Sequence, residues 1–530
     1  MHIFERGVFI SCEDENRIFS VLIEDNGKIV FTGDFVPDAY QGVRTRTDMK
    51  GLCVVPAFAD THMHFESFCF FQEHLDVRSA TSFDDLSDCI RIYEKNHPDA
   101  RIIIGFGCSA HTLQEKRLPD IDLFNQVTSK PLFLVKYDGH AAVINSALLR
   151  KLPEIITSDP GFDKAAGWLT QKAFYKSVNH ITGSVSPYKL LKTFIKGADC
   201  IAGTGIGLIH TVEGIGFPMD IDVDIMRLAA RGFPLHFRIY FQTMDVRKVL
   251  RRKLSQIGGC FATALDGSFG SEDAALLEPY ANNPDNKGML AYSQRQVSHF
   301  VKAANRAGLQ VSMHAIGDAA IYQAITAYEE ALDDFPRSDH RHVIIHANMI
   351  SPPLLERAAK IGVHLAVQPS LILWKEEPME YLTTILGNRA YQLTPLKSMI
   401  KNGLIIAGGS DAPCSPPNPI FDIYAACNHP NPDESISILD ALRMHTNWAA
   451  RLSFDEHKRG TLTEGKFADF AVLDRNPLTL RPQELKDMKV IDLYLNGSAY
   501  ESAIKTPFDL CMNALKNKIL RHSFSTRKLV

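Results

Sequence analysis

The stretch "ADTHMHFES" (59–67) sets His62 and His64 two residues apart, directly after the apolar run "LCVVPAF". On a β-strand, residues i and i+2 point to the same side. The two imidazoles therefore converge, and paired neutral imidazoles suit a divalent metal of the zinc type. A hydrogen-bonded histidine pair at a strand end is the bland alternative, and the rest of the chain has to decide. Polar endings recur downstream: Glu213 in "GIGLIHTVEG", Asp266 in "GCFATALDG", His314 in "LQVSMHAIGD", His346 in "HVIIHANM" and Asp411 in "GLIIAGGSDAP". Four histidines and one carboxylate at strand ends make a nitrogen and oxygen donor set, which favours Zn, Fe or Mn over Ca or Mg.

The elements that would carry these residues follow a rhythm. Apolar, β-rich runs at 53–64, 205–214, 234–242, 259–267, 309–318, 342–349, 362–370 and 403–413 alternate with helix-like stretches. Two of those stretches, "QRQVSHFVKAANRAG" and "AAIYQAITAYEEALDDF", are apolar at three- and four-residue spacing. Alternation of this kind predicts βα units and a parallel sheet. Eight strands point to an α/β fold of the (β/α)8 barrel type, whose active sites lie at the C-terminal strand ends. Residues 51–455 would form this barrel. Residues 1–50 and 456–505 read as short strands with turns, "DNGK" being a hairpin signal. The two ends are expected to pair into one small β-domain. Residues 65–200 exceed what one connecting helix needs and are expected to form a lid or substrate-binding subdomain. The tail, 506–530, carries Lys516, Lys518, Arg521, Arg527 and Lys528 and reads as a solvated or partner-contacting end.

Totals narrow the function class. Of 530 residues, 45% are hydrophobic and 22% charged, the make-up of an ordinary soluble protein. Lys plus Arg number 57 against 61 Asp plus Glu, a formal charge of −4, which gives no electrostatic case for nucleic acid or an anionic membrane. The opening "MHIFERGVFISCEDENR" has no apolar core of a signal peptide, and no run is long enough to span a bilayer. Ten cysteines without a C-x-x-C pair read as reduced thiols in a cytoplasmic protein. A small molecule is the expected partner, with a homodimer left open.

Taken together, "VVPAFADTHMH", "YDGHAAVINSALL", "LDGSFGSEDAALLEPY", "VSMHAIGDAA", "IIHAN", "AGGSDAP" and "GTLTEGKFADFAVLD" resemble the amidohydrolase superfamily. More narrowly, they look like the amidohydrolase-3 branch that includes N-substituted formamide deformylases. The resemblance implies a distorted (β/α)8 barrel with a small β-sandwich formed by both chain ends. It implies that His62, His64, His314 and His346 are the metal-site histidines, that Asp411 is the aspartate after the last strand, and that His140 faces the substrate. Asp266 and Asp318 are further substrate-side candidates, although Asp318 sits where a helix begins and suits an N-cap as well. Lys136 and Glu213 are candidate ionic partners or metal neighbours.

Three positions depart from the family pattern. Relatives often carry a carboxylated, metal-bridging lysine four residues before Asp266, where this chain has Ala262. That departure favours a single ion, with zinc first among the candidates. Ile345 stands where relatives have Glu, and Glu272 replaces a basic residue, which puts the familiar substrate contacts in question. The expected reaction is hydrolysis of a non-peptide amide or N-substituted formamide. A metal brings the pKa of water down to about 7. Asp411 would serve as general base and then acid, and His346 would be a ligand or a group polarising the carbonyl. A deaminase of a heterocyclic amine is the second reading, and a metal-binding relic without catalysis the third.

Overall fold

The computed structural model describes the backbone of residues 1–526 apart from 184 and 216. Eight parallel strands follow one another around a barrel: β1 (Phe58–Met63), β2 (Ile206–Glu213), β3 (His236–Phe241), β4 (Gln256–Ala264), β5 (Gln310–Ala315), β6 (Val343–His346), β7 (His364–Val367) and β8 (Ile406–Gly408). All eight runs read from the sequence are strands, in order. The helices between them bury one face each. In Asp318–Asp334, for example, Ile321, Ala324, Ile325, Tyr328 and Ala331 form the buried stripe at helical spacing. Inside the barrel, small and β-branched side chains (Ala59, Val343, Ile345, Ala366, Ala407) pack with Leu208, Cys260, Ala449 and Leu452.

The first run, 53–64, differs from expectation in being two strands. Cys53–Pro56 belongs to the chain-end sheet and Phe58–Met63 to the barrel. The crossing falls at Ala57, whose N–H goes to Asp469 O (3.0 Å) while that of Phe58 goes to Gly205 O (2.9 Å). Both chain ends do share a sheet: Cys53–Pro56 pairs antiparallel with Phe470–Leu473 on one side and parallel with His2–Ile10 on the other. In hydrogen bonding it is one continuous eight-stranded sheet.

β4 is irregular. Gly258 and Gly259 take φ values of 101° and 134°, and the register with β5 shifts between Gly259 and Ala264. A Cβ on Gly258 would lie 1.9 Å from Ser312 O, so only glycine fits the bulge.

The insertion after β1 has its own six-stranded sheet, from Leu75–Asp76 through Ile103–Cys108, Leu132–Lys136, Ala141–Ile144 and Trp168–Thr170 to Phe162–Asp163. Strand alternation gives it two cores, with Phe133 and Val135 on one face and Leu132 and Leu134 on the other. The C-terminal segment is a helix, Pro507–Thr526, docked on Ile221–Gly232 with Leu510 and Ala514 buried. Lys516 and Lys518 are exposed on it. Arg527 and Lys528, and the side chain of Arg521, lie outside the described residues. Among the described residues, no helix is long and apolar enough to cross a membrane.

Candidate metal centre

Barrel closure places the first donors. No ladder joins β8 to β1. Instead Asp411 N–H donates to His62 O and His64 N–H to Ala412 O, both at 2.8 Å. Thr61 Oγ1 donates to Gly408 O at 3.0 Å. Asp60 completes the clamp, its carboxylate accepting from His62 N (3.2 Å), Ser410 N (3.0 Å) and Ser410 Oγ (2.6 Å). These bonds set Nε2 of His62 and of His64 at 3.1 and 3.4 Å from Asp411 Oδ1. On the opposite wall, His314 and His346 have ring centroids 4.5 Å apart.

Between the two groups stands Cys260, which the sequence reading passed over. Its Sγ is 3.3 Å from His62 Nε2, 3.6 Å from His314 Nδ1 and 3.9 Å from His346 Nε2. The family pattern, counted back from Asp266, pointed to Ala262, but the bulge shifts which β4 residues face inward. The β4 side chain among the histidines is Cys260. The signal that could have found it is the "GGC" at 258–260, since paired glycines inside a strand mark a bulge.

The donors fall into two overlapping sets, His62, His64, Cys260 and Asp411, and Cys260, His314 and His346. Within each set the donor atoms lie no more than 4.8 Å from one another. At ordinary Zn–N and Zn–S lengths, donors around a tetrahedral ion stand roughly 3.3–3.7 Å apart, close to the separations observed. Asp411 Oδ1 is buried and, despite two imidazoles in reach, makes no hydrogen bond of good geometry. An orphaned carboxylate oxygen facing imidazole nitrogens is what a cation would complete, so the residues fit a transition metal.

Two ring orientations are set from behind. His346 Nδ1 donates to Gln368 Oε1 at 2.7 Å, and Gln368 Nε2 is itself bound to Ala366 O at 3.1 Å. His314 Nε2 meets Gly267 O at 3.1 Å, an acceptor only, so the proton sits there and Nδ1 faces Cys260 with its lone pair. Burial lowers the pKa of His64, takes His314 well below its ordinary value and brings His346 to about 4, keeping them neutral. Burial opposes the charge of Asp411, yet the imidazoles of His62, His64 and His346 hold its carboxyl well below the usual range. His346 (φ 70°) and Asp411 (φ 57°) adopt left-handed backbone. Such conformations cost about 1–3 kcal/mol each in non-glycine residues and cluster at functional sites.

The centre opens into a cavity walled by Phe71, Phe106, Phe174, Tyr175, Phe261 and Trp374. His140 and Glu213 line it, His140 with its ring 6.4 Å from that of His314. Among the described residues, no Lys or Arg lines it. Asp266 and Asp318 are not part of the wall. Asp266 lies behind His314, Nε2 to Oδ1 3.5 Å, and accepts N–H bonds from Ala275, Ile316 and Gly317. Burial pushes its carboxyl up to about 7. Asp318 accepts from Leu277 N at 2.8 Å at the start of its helix. Lys136 is an ionic partner, of Asp138 at 2.9 Å. Glu272 turns to Asn282, and Ile345 is core inside the barrel.

Comparison with known proteins identifies the family and the fold. The Bacillus subtilis (strain 168) protein YtcJ is 27% identical over 94% of this chain and 98% of its own. An N-substituted formamide deformylase of Arthrobacter pascens is 22% identical over 85% of this chain and 88% of its own. The fold matches a metal-dependent hydrolase from Pyrococcus furiosus with a TM-score of 0.73 at 24% identity, covering 90% of this chain and all of that one. It also matches the zinc-complexed atrazine chlorohydrolase TrzN of Arthrobacter aurescens TC1, with a TM-score of 0.52 at 12% identity, covering 98% of this chain and 100% of that one. The family model described as "Amidohydrolase family" matches residues 47–499, from the last strands before the barrel to the last strand after it, and the chain belongs to that family.

Proposed function

We propose that this chain is a metal-dependent hydrolase of carbon–nitrogen bonds in uncharged, non-peptide amides, N-substituted formamides foremost, that carry a bulky apolar substituent. The observation that carries this reading is the convergence of four imidazoles, one thiol and one ionised carboxylate at the mouth of the barrel. His62, His64, Asp411, Cys260, His314 and His346 would hold the metal, with zinc the first candidate for so nitrogen- and sulfur-rich a set. The two overlapping donor sets, with Cys260 in both, favour two ions over the single ion that Ala262 suggested. A bound divalent ion would supply Lewis acidity and bring a water's pKa near neutrality.

The chain's own residues supply the rest. Asp411, ionised and facing the cavity, accepts a proton from the attacking water and returns it to the leaving nitrogen. His140, on the wall beside His314, is in position to orient the carbonyl. The aromatic wall excludes water and favours an aromatic or long-chain substituent. With no cationic side chain on that wall, a substrate carboxylate would be desolvated without a counter-ion. Similarity to the A. pascens deformylase is in keeping with this reading.

The test is a panel of neutral N-arylalkyl formamides, the same scaffolds bearing a carboxylate, and cyclic amines. Turnover should be confined to the neutral amides, with kcat/KM for the carboxylate-bearing scaffolds at least about a hundredfold lower. Release of ammonia from the cyclic amines instead would establish the deaminase reading.

A further inference from the structure

Beside the barrel mouth lies a second cluster that the hydrolytic reading does not use. Glu66, in the first turn of Phe65–Gln72, Glu213, the last residue of β2, and Asp222, in the first turn of Ile221–Gly232, bring carboxylate oxygens within 4.8 Å of one another. All three are buried, at 7%, 3% and 0% exposure. Part of the cluster is satisfied: Glu213 Oε1 accepts from Thr211 Oγ1 (2.5 Å) and Glu66 N (3.3 Å), and Asp222 Oδ2 from Gly214 N (2.8 Å). Glu66 Oε2 and Asp222 Oδ1 are buried without a donor among the described residues, and the Glu66 carboxyl faces that of Glu213. Nor, among the described residues, does a basic side chain answer them. Lys248, on the helix Val246–Arg251, and Arg252, just past its end, pair with Asp220 and Asp224.

Three buried carboxylates without a counter-charge, two of them with an orphaned oxygen, are costly to keep in a folded chain. Their donor atoms are oxygen only, unlike the nitrogen and sulfur set next door. At ordinary Mg–O or Ca–O lengths the oxygens around a hard cation stand no more than about 4.2–4.8 Å apart, and the three oxygens here all lie within 4.8 Å of one another. We propose that Glu66, Glu213 and Asp222 form a binding site for one hard divalent cation of the Mg2+, Ca2+ or Mn2+ class, separate from the transition-metal centre. Its three ligands come from the segment after His64, the end of β2 and the following helix. The ion would tie these together and fix the chain that leaves His64 for the insertion. The inference goes beyond the hydrolytic reading and does not depend on the reaction the barrel performs.

The test uses the full-length protein saturated with zinc, dialysed against Mn2+, Mg2+ or Ca2+, with zinc content checked afterwards. The wild type should bind one further equivalent of at least one of these ions with a Kd below about 1 mM. It should also melt a few degrees higher in several millimolar of that ion. Asp222→Asn and Glu66→Gln should each weaken that binding tenfold or more while zinc content stays at the wild-type value. Should the variants fail to fold, the wild-type binding and melting shift decide alone. A zinc-loaded wild type that takes up none of the three ions would overturn the proposal and leave the carboxylates neutralised by protons. So would folded variants that bind the ion as tightly as the wild type.

Discussion

The main-chain amide of Asp411 donates to the carbonyl of His62 at 2.8 Å, and the same two residues meet through their side chains, Oδ1 to Nε2, at 3.1 Å. The seam that closes the barrel is therefore also the step that assembles half of the donor set. A change that loosens the seam must loosen the centre. Closure and ligation are one event here, because β8 and β1 have no ladder to hold them otherwise.

Asp411→Asn separates ligation from proton transfer. The amide keeps the size and an oxygen that can coordinate, but it cannot take a proton from water. The variant should keep its fold and much of its metal and lose at least about a hundredfold in kcat, the usual minimum for losing general acid–base help. His62→Ala should lose metal and activity together. Steady-state kinetics beside elemental analysis read both. An Asp411→Asn enzyme that is metal-loaded and within a few-fold of the parent would remove Asp411 as the proton carrier.

Cys260 is the member common to both donor sets. Purified protein should hold about two transition-metal equivalents, and Cys260→Ala should hold one or fewer, with activity down roughly 10- to 100-fold or more. Elemental analysis after mild chelation measures this. One equivalent in the wild type, unchanged in Cys260→Ala, would restore the single-ion reading and make Cys260 a core residue.

How far the sequence reached can be argued from these residues. The eight strands were legible because each is an apolar run bounded by turn residues, and the histidines because strand ends in a barrel share one face. His62, His64, His314, His346 and Asp411 all reach the centre, and His140 reaches the cavity. Cys260 was hidden because the bulge at Gly258 and Gly259 shifts the alternation by which a β4 residue is assigned to a face. The break at Ala57 was hidden because an apolar run gives no sign of which of two sheets its halves join. Asp266 and Asp318 look alike in sequence, as acids near a strand end. Only the three-dimensional course of the chain shows that one supports His314 and the other holds a loop amide.

Asp60 gives a pH test of the clamp. Burial raises its carboxyl from an ordinary value near 3.8 to about 6. Between those values the folded chain holds the proton that the unfolded chain has released. This group's contribution to stability therefore falls as pH rises from about 4 to 6, and the loss is complete above 6. Asp60→Asn lacks that penalty. Relative to the wild type, the metal-free variant should gain on the order of 3 kcal/mol between pH 4 and pH 8, read from urea unfolding at the two pH values. A stability difference independent of pH would show that the Asp60 carboxyl is not raised.

The most direct measurement takes the best neutral formamide from the substrate panel and follows its turnover through removal and return of metal. The protein is stripped with a chelator, assayed, reloaded with zinc and assayed again, with metal content determined at each stage. The expected result is loss of at least about a thousandfold in kcat on stripping, with a fold unchanged by circular dichroism. Reloading with zinc should restore turnover in proportion to the metal regained. Turnover that persists in folded, metal-free protein would contradict the assignment of His62, His64, Cys260, His314, His346 and Asp411 as the seat of the chemistry.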